Sequence, residues 1–451
     1  MKFDRRRFLA SGLASGAFAA SSFLTTSRLA FAKASTSSRF VFIILRGALD
    51  GLCAVPPHGD PDYARLRREL AIGAPGTANG ALPLDNVFGL HPSLAFMAES
   101  FKARELTVFH AIASPYRERS HFDGQDVLEN GFTRPHAAQT GWLNRALAAL
   151  PADRSSTRRE LGVALGQNVP LVMRGCAPVA SWSPSKLAAL DDDTLQRLTD
   201  LYSKDPLLSQ RLADALAADA IATSSQKEEA AEEMASHAMT EESAATLSPD
   251  AKTAMASDSK PATTDSSQLL ARRDKAEGRA NARYVEVIRA AASFLRREDG
   301  PQIAVFDTSG WDTHANEGGA QGQLAARLAA LDTGLRTLKE QLAPVWRDTA
   351  VLIATEFGRT AATNGTRGTD HGTGAAAFLL GGAVEGGRVV ADWPGLTSRS
   401  LYEARDLNPT LDIRSVLKGV LADHLHVPTN ALDSAVFPDS KSARALPDLV
   451  T

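Results

Sequence analysis

Read for hydrophobic and polar positions alone, the chain falls into repeated units of strand, polar loop and helix. Phe40-Val41-Phe42-Ile43-Ile44-Leu45 is an unbroken apolar run of strand length, the mark of a strand buried on both faces of a parallel sheet. Glu105–Ala113, Ile303–Phe306, Thr349–Thr355 and Ala375–Leu380 repeat the pattern, and Leu161–Met173 reads as short strands around a glycine. Between them the period changes to that of helices: the stretch TGWLNRALAAL, then Asp191 to about Ala220, Gln268–Arg297 and Gln321–Trp346. Strands alternating with helices predict an α/β fold, a three-layer α/β/α arrangement around a mostly parallel central sheet.

Two stretches break the pattern. Residues from about 222 to 267 are rich in Ala, Ser, Thr, Glu and Lys with almost no large apolar side chain, a composition that cannot offset the entropy of ordering. They read as an insertion in a single domain spanning 33–451. Residues 1–32 carry a basic start, a mild apolar run and Ala30-Phe31-Ala32 as a cleavage triplet, which together predict an export signal. Arg5-Arg6-Arg7-Phe8-Leu9 resembles the twin-arginine signal, with Asp4 where Ser or Thr is usual. The expected place of the mature chain is therefore the periplasm or outside the cell, reached through the twin-arginine machinery, with no membrane span.

Composition narrows the partners. The 451 residues are 44% apolar and 22% charged with a net charge of −3, which gives no basic footprint for nucleic acid. Cys53 and Cys176 are the only cysteines; they make no disulfide framework and no thiolate zinc site, and a single bridge between them stays open.

Ligands of open α/β sheets bind beyond the carboxyl ends of the strands, and four polar clusters fall there. Asp50 follows the first strand; it either serves a site or caps the next turn. Asp312-Thr313-His314 follows the strand at Ile303, and carboxylate with imidazole suits zinc, manganese or iron(II) better than calcium. Glu356 and Arg359 follow Thr355; Arg359 either forks an anionic group or pairs with the acid. Asp370-His371 lies in a Gly- and Thr-flanked loop before the last buried strand. A fifth group, Ser120-His121-Phe122-Asp123, reads equally as a capping box or as a nucleophile at a helix N-terminus that favours anions.

The motifs ILRGALDGL, RSHFDGQD, GWLNRAL, WDTHAN, TEFGRT, NGTRGTDHGTG and DWPGL together resemble a family of uncharacterised exported bacterial proteins within the alkaline phosphatase/sulfatase-like superfamily. The resemblance implies one or two divalent metals, zinc or manganese, at the carboxyl ends of the sheet. It implies Asp50, Asp312, His314, Glu356 and His371 as ligands and Ser120 as nucleophile; in ester hydrolysis Arg359 would hold a non-bridging oxygen. Two departures matter. Glu356-Phe357-Gly358 stands where superfamily members with two metals carry Asp-His-Gly, so Asp370 or His121 would have to supply the missing ligand. Cys176-Ala177-Pro178-Val179-Ala180 lacks the arginine that an aldehyde-type sulfatase needs. The expected function is metal-dependent hydrolysis of a phosphate or sulfate ester. The alternative is a non-catalytic exported protein that binds or assembles a protein partner.

Overall fold

The computed structural model describes residues 37–150, 161–184, 192–203, 205–222 and 282–451. The expected export signal, and the expected insertion beyond residue 222, lie outside the described residues.

A nine-stranded sheet forms the centre. Its strands are β1 (Arg39–Arg46), β4 (Leu106–Ala113), β5 (Gly162–Leu165), β6 (Val179–Trp182), β7 (Ile303–Ser309), β8 (Thr349–Thr355), β9 (Ala375–Leu380), β10 (Arg388–Val390) and β11 (Leu411–Asp412), while β2 (Leu82–Pro83) and β3 (Gly89–Leu90) make a separate pair. The order across the sheet is β10-β4-β9-β8-β1-β7-β5-β6, with β11 also on β4. All neighbours run parallel except that β9 is antiparallel to both β4 and β8. The sheet is thus mostly parallel, as the apolar runs predict.

The pattern within each strand explains the burial. Val41, Ile43 and Leu45 of β1 enter one apolar core, and Phe40, Phe42 and Ile44 enter the other. Alternate residues of a strand point to opposite faces, so an unbroken apolar run serves a core on each side. Helix α2 (Ala95–Lys102), the helix α5 at residues 282–296 and α6 (Gln323–Gln341) cover the first face through Met97, Ile288 and Leu331. Helices α3 (His121–Asn130), α4 (Trp142–Ala149) and α7 (Ile413–Asp423) cover the second through Leu128, Trp142 and Val416. A short helix, α1 (Gly51–Ala54), follows β1.

The helix expected over Asp191 to about Ala220 is two helices, Asp192–Tyr202 and residues 206–222. The carboxylate of Asp205 accepts the Leu207 and Leu208 amides at 2.9 and 3.1 Å, so Asp205-Pro206 is a helix start that the apolar period alone does not show. Among the described residues, no helix is long and apolar enough to cross a membrane. Cys53 is buried and Cys176 exposed, and both are free thiols.

Register positions the functional loops. Arg46 of β1 stands opposite Ser309 of β7, and Leu45 opposite Thr355 of β8, so these strands end at one level. Because β9 runs the other way, its first residue, Ala375, stands beside Ile112 near the end of β4. The loop before β9 therefore opens on the same edge as the loops after β1, β4, β7 and β8.

Candidate metal centre

Five loops meet on that edge. Asp312 comes from the loop after β7, His371 from the loop before β9 and His121 from the first turn of α3. These three form a group whose ligand atoms all lie within 4.8 Å of one another and could hold a metal ion. His121 Nε2 is 3.5 Å from Asp312 Oδ2, and His371 Nε2 is 3.3 Å from Asp312 Oδ1. Two ligands bound at about 2.1 Å stand about 3.4 Å apart across a tetrahedral angle. His314 adds a third imidazole, with Nε2 at 3.0 Å from Asp312 Oδ1 and 2.9 Å from His371 Nε2.

The outward nitrogens of the three rings are tied down. His121 Nδ1 lies 2.8 Å from Glu356 Oε1, His371 Nδ1 lies 2.9 Å from the Arg119 carbonyl, and His314 Nδ1 lies 3.3 Å from Asp370 Oδ1. Each partner is an acceptor, so each Nδ1 carries the proton and, in the neutral ring, each Nε2 presents a lone pair. Lone pairs of His314 and His371 at 2.9 Å repel unless a proton or a cation stands between them. His121 Nε2 is buried without a hydrogen-bond partner. Anchored Nδ1 groups with converging Nε2 atoms are the arrangement that orients imidazoles on a metal, and the residues fit one.

Glu356, fully buried, is the anchor of His121 rather than a member of the converging set. Its Oε1 accepts the Gly47 amide at 2.8 Å and Gln125 Nε2 at 3.1 Å besides His121, and Oε2 faces Thr355 Oγ1 at 2.9 Å. Burial pushes its pKa up, but the bonds from His121, Gln125 and the Gly47 amide outweigh that and hold it below the usual value. The same pairing, working against burial, raises the pKa of His121. Burial, helped by the neighbouring His121, lowers that of His371. Asp370 is held low chiefly by the amide of Asn364, 3.0 Å away.

Arg359 is buried beneath the group. Its guanidinium donates to the carbonyls of Ala48 (2.8 Å), Thr369 (3.0 Å), Gly47 (2.9 Å) and Trp311 (3.2 Å) and pairs with Asp312. It fastens three loops to one another and outweighs burial in keeping Asp312 ionised. Phe357 lines the floor, with its ring centroid 5.1 Å from that of His121 and 5.4 Å from that of His371. Helix α3 can approach because residue 124 is glycine: a Cβ there would stand 2.7 Å from Phe357 Cδ1.

Two sequence candidates lie elsewhere in role. Asp50 caps α1, accepting the Leu52 and Cys53 amides at 3.0 and 3.1 Å, and pairs with the buried Arg67. Glu317 joins them, 3.7 Å from Arg67 and hydrogen-bonded by Thr369 Oγ1 at 2.7 Å. Burial and the neighbouring Asp50 charge raise the pKa of Glu317, whereas Arg67 keeps Asp50 ionised against burial. Ser120 is the N-cap of α3, with Oγ 3.5 Å from the Asp123 amide. Sequence reasoning did not find Arg67, Glu317, Gln125 or Arg119. Glu317 lies five residues after Asp312 in the same polar loop, Arg119 and Gln125 lie within the motif RSHFDGQD, and Arg67 carries no sequence signal.

Residues 110–436 match the profile of a family described as a protein of unknown function (DUF1501). The chain belongs to that family. The matched stretch holds every residue of the His/Asp group and its anchors, and leaves out β1, Asp50 and Arg67. No curated protein matches the chain. A crystal structure of Ps i-CgsB in complex with k-i-k-neocarrahexaose aligns with a TM-score of 0.36 and 10% identity, covering 91% of this chain and 77% of that one. A likeness of that size carries no argument about this DUF1501 protein.

Proposed function

We infer that the chain is a metal-dependent hydrolase of phosphate or sulfate esters. The observation that carries this is the convergence of three Nδ1-anchored imidazoles on one carboxylate. His121, His314, His371 and Asp312 would hold the ion. Nitrogen and oxygen donors with no thiolate suit zinc or manganese. A divalent ion supplies Lewis acidity to an ester oxygen and to a water molecule. Glu356 and Asp370 keep the rings aligned and their Nδ1 atoms protonated, Arg359 holds Asp312 in place, and Phe357 shuts water out from below. Ser120 stands one residue before His121, so an ester bound at the ion would lie beside the first turn of α3, where free amides favour an anion. The position in the superfamily and export through the twin-arginine pathway are part of the same reading and rest on the sequence motifs.

The test is metal content after dialysis, followed by a screen of aryl phosphates and sulfates with the reconstituted protein. Bound metal and turnover that both vanish in His121→Ala and His371→Ala support the reading; absence of both in reconstituted protein overturns it. One observation favours the second reading, a non-catalytic exported protein with a protein partner. Arg359 commits its donors to four backbone carbonyls and Asp312, so it is not free to clamp a substrate. Metal binding without turnover of any ester would favour this reading.

A further inference from the structure

Helix α3 carries more than His121. The next residue, Phe122, is 86% exposed, which leaves an apolar ring in water. It stands on the wall of a cleft of about 780 Å³, within the range of small-ligand sites. Gln125, one turn further on, joins cleft and centre: its Nε2 donates to Glu356 at 3.1 Å and its Oε1 accepts from Arg46 at 3.0 Å.

Most of the charges that line the cleft are already spent, except on Arg174, whose Nε donates to the Val169 carbonyl at 2.8 Å. Arg46 pairs with Glu129 at 2.8 Å and with Asp307. Asp126 accepts from Asn130 and from the His136 amide at 2.6 and 2.7 Å. Gln139 and Asn168 also line the cleft, and their side-chain amides engage no other described residue. The site thus offers a bare aromatic face, two carboxamides and one guanidinium, Arg174, that has no acidic partner among the described residues. A flat aromatic face takes the C–H face of a ring, and carboxamides both donate and accept, as vicinal hydroxyls require.

We propose that this cleft binds a carbohydrate, with one sugar ring packed on Phe122 and its hydroxyls on Gln139 and Asn168. The inference rests on the hydrolase reading in one respect only: it makes the ester substrate one carried on a sugar. The full-length protein is mixed with maltohexaose, cellohexaose, xylohexaose and chitohexaose, and saturation-transfer NMR reads ring protons in contact. At least one of these hexasaccharides gives transfer and a dissociation constant. Phe122→Ala weakens it about tenfold, Gln139→Ala with Asn168→Ala weakens it further, and His371→Ala leaves it unchanged. Hexasaccharide binding by native, metal-reconstituted protein that turns over no ester keeps this proposal and sinks the hydrolase. Ester turnover with no hexasaccharide bound does the reverse. Unchanged affinity in Phe122→Ala, or transfer only to a pentaglycine or adenosine probe, overturns the carbohydrate assignment.

Discussion

Glu356 is the residue on which the geometry of the centre depends without itself converging on the ion, and its replacement separates orientation from ligation. In Glu356→Gln the side chain keeps its size and the oxygen that accepts the Gly47 amide, His121 Nδ1 and Gln125 Nε2. The new amide faces Thr355 Oγ1, which can turn its proton to the Leu45 carbonyl at 2.7 Å and accept. Hydrogen bonds survive and only the charge is lost. The His121 ring then loses the main cause of its raised pKa and becomes a weaker base. Loss of such an outer partner lowers metal affinity about 10- to 100-fold. Glu356→Ala instead leaves three donors without an acceptor in a fully buried site. At about 1–2 kcal/mol each, that is roughly 3–6 kcal/mol of stability. Zinc titration with a competing chelator and urea unfolding read the two effects. Unchanged zinc affinity in the glutamine variant, with the same urea midpoint in both variants, would refute the role given to Glu356.

Three other outcomes follow from the geometry. Gly124→Ala forces α3 away from Phe357, so overpacking costs about 1–3 kcal/mol and zinc affinity falls with it, as thermal unfolding and titration will show. Arg359→Met releases the three loops and leaves four carbonyls without a donor; its urea midpoint drops by the equivalent of about 3–5 kcal/mol, and the variant binds no metal. His110 is fully buried, donates to the Val55 carbonyl at 3.0 Å, and burial pushes its pKa down to about 4. The unfolded chain takes up that proton near pH 6.5 and the folded chain does not, so stability falls between pH 6.5 and 4; His110→Gln flattens this part of the urea-midpoint profile.

The strands were legible because both faces of each are apolar. The expected Thr349–Thr355 and Ala375–Leu380 match β8 and β9 to the residue. The antiparallel direction of β9 was not legible, since burial on both faces gives the same apolar run in either direction. That direction is what carries His371 to the edge where β1, β7 and β8 end. Of the polar clusters, Asp312, His314 and His371 meet, with His121 joining through α3. Glu356, Asp370 and Arg359 surround them in supporting parts. Asp50 has the same sequence signature as a ligand, an acid just past a buried strand, but its partner Arg67 is seventeen residues away in the chain and no period points to it. Ser120 is the N-cap of α3, a position that its capping and nucleophile readings share.

The most direct test of the account is the metal stoichiometry of the purified protein, read by plasma mass spectrometry after dialysis against zinc or manganese and again for His121→Ala with His371→Ala. X-ray absorption on the loaded sample reports the donors. The account predicts about one ion per chain, a first shell of nitrogen and oxygen with imidazole scattering, and none retained by the double variant. An ion retained by the double variant, or no ion in the folded native protein, would contradict it.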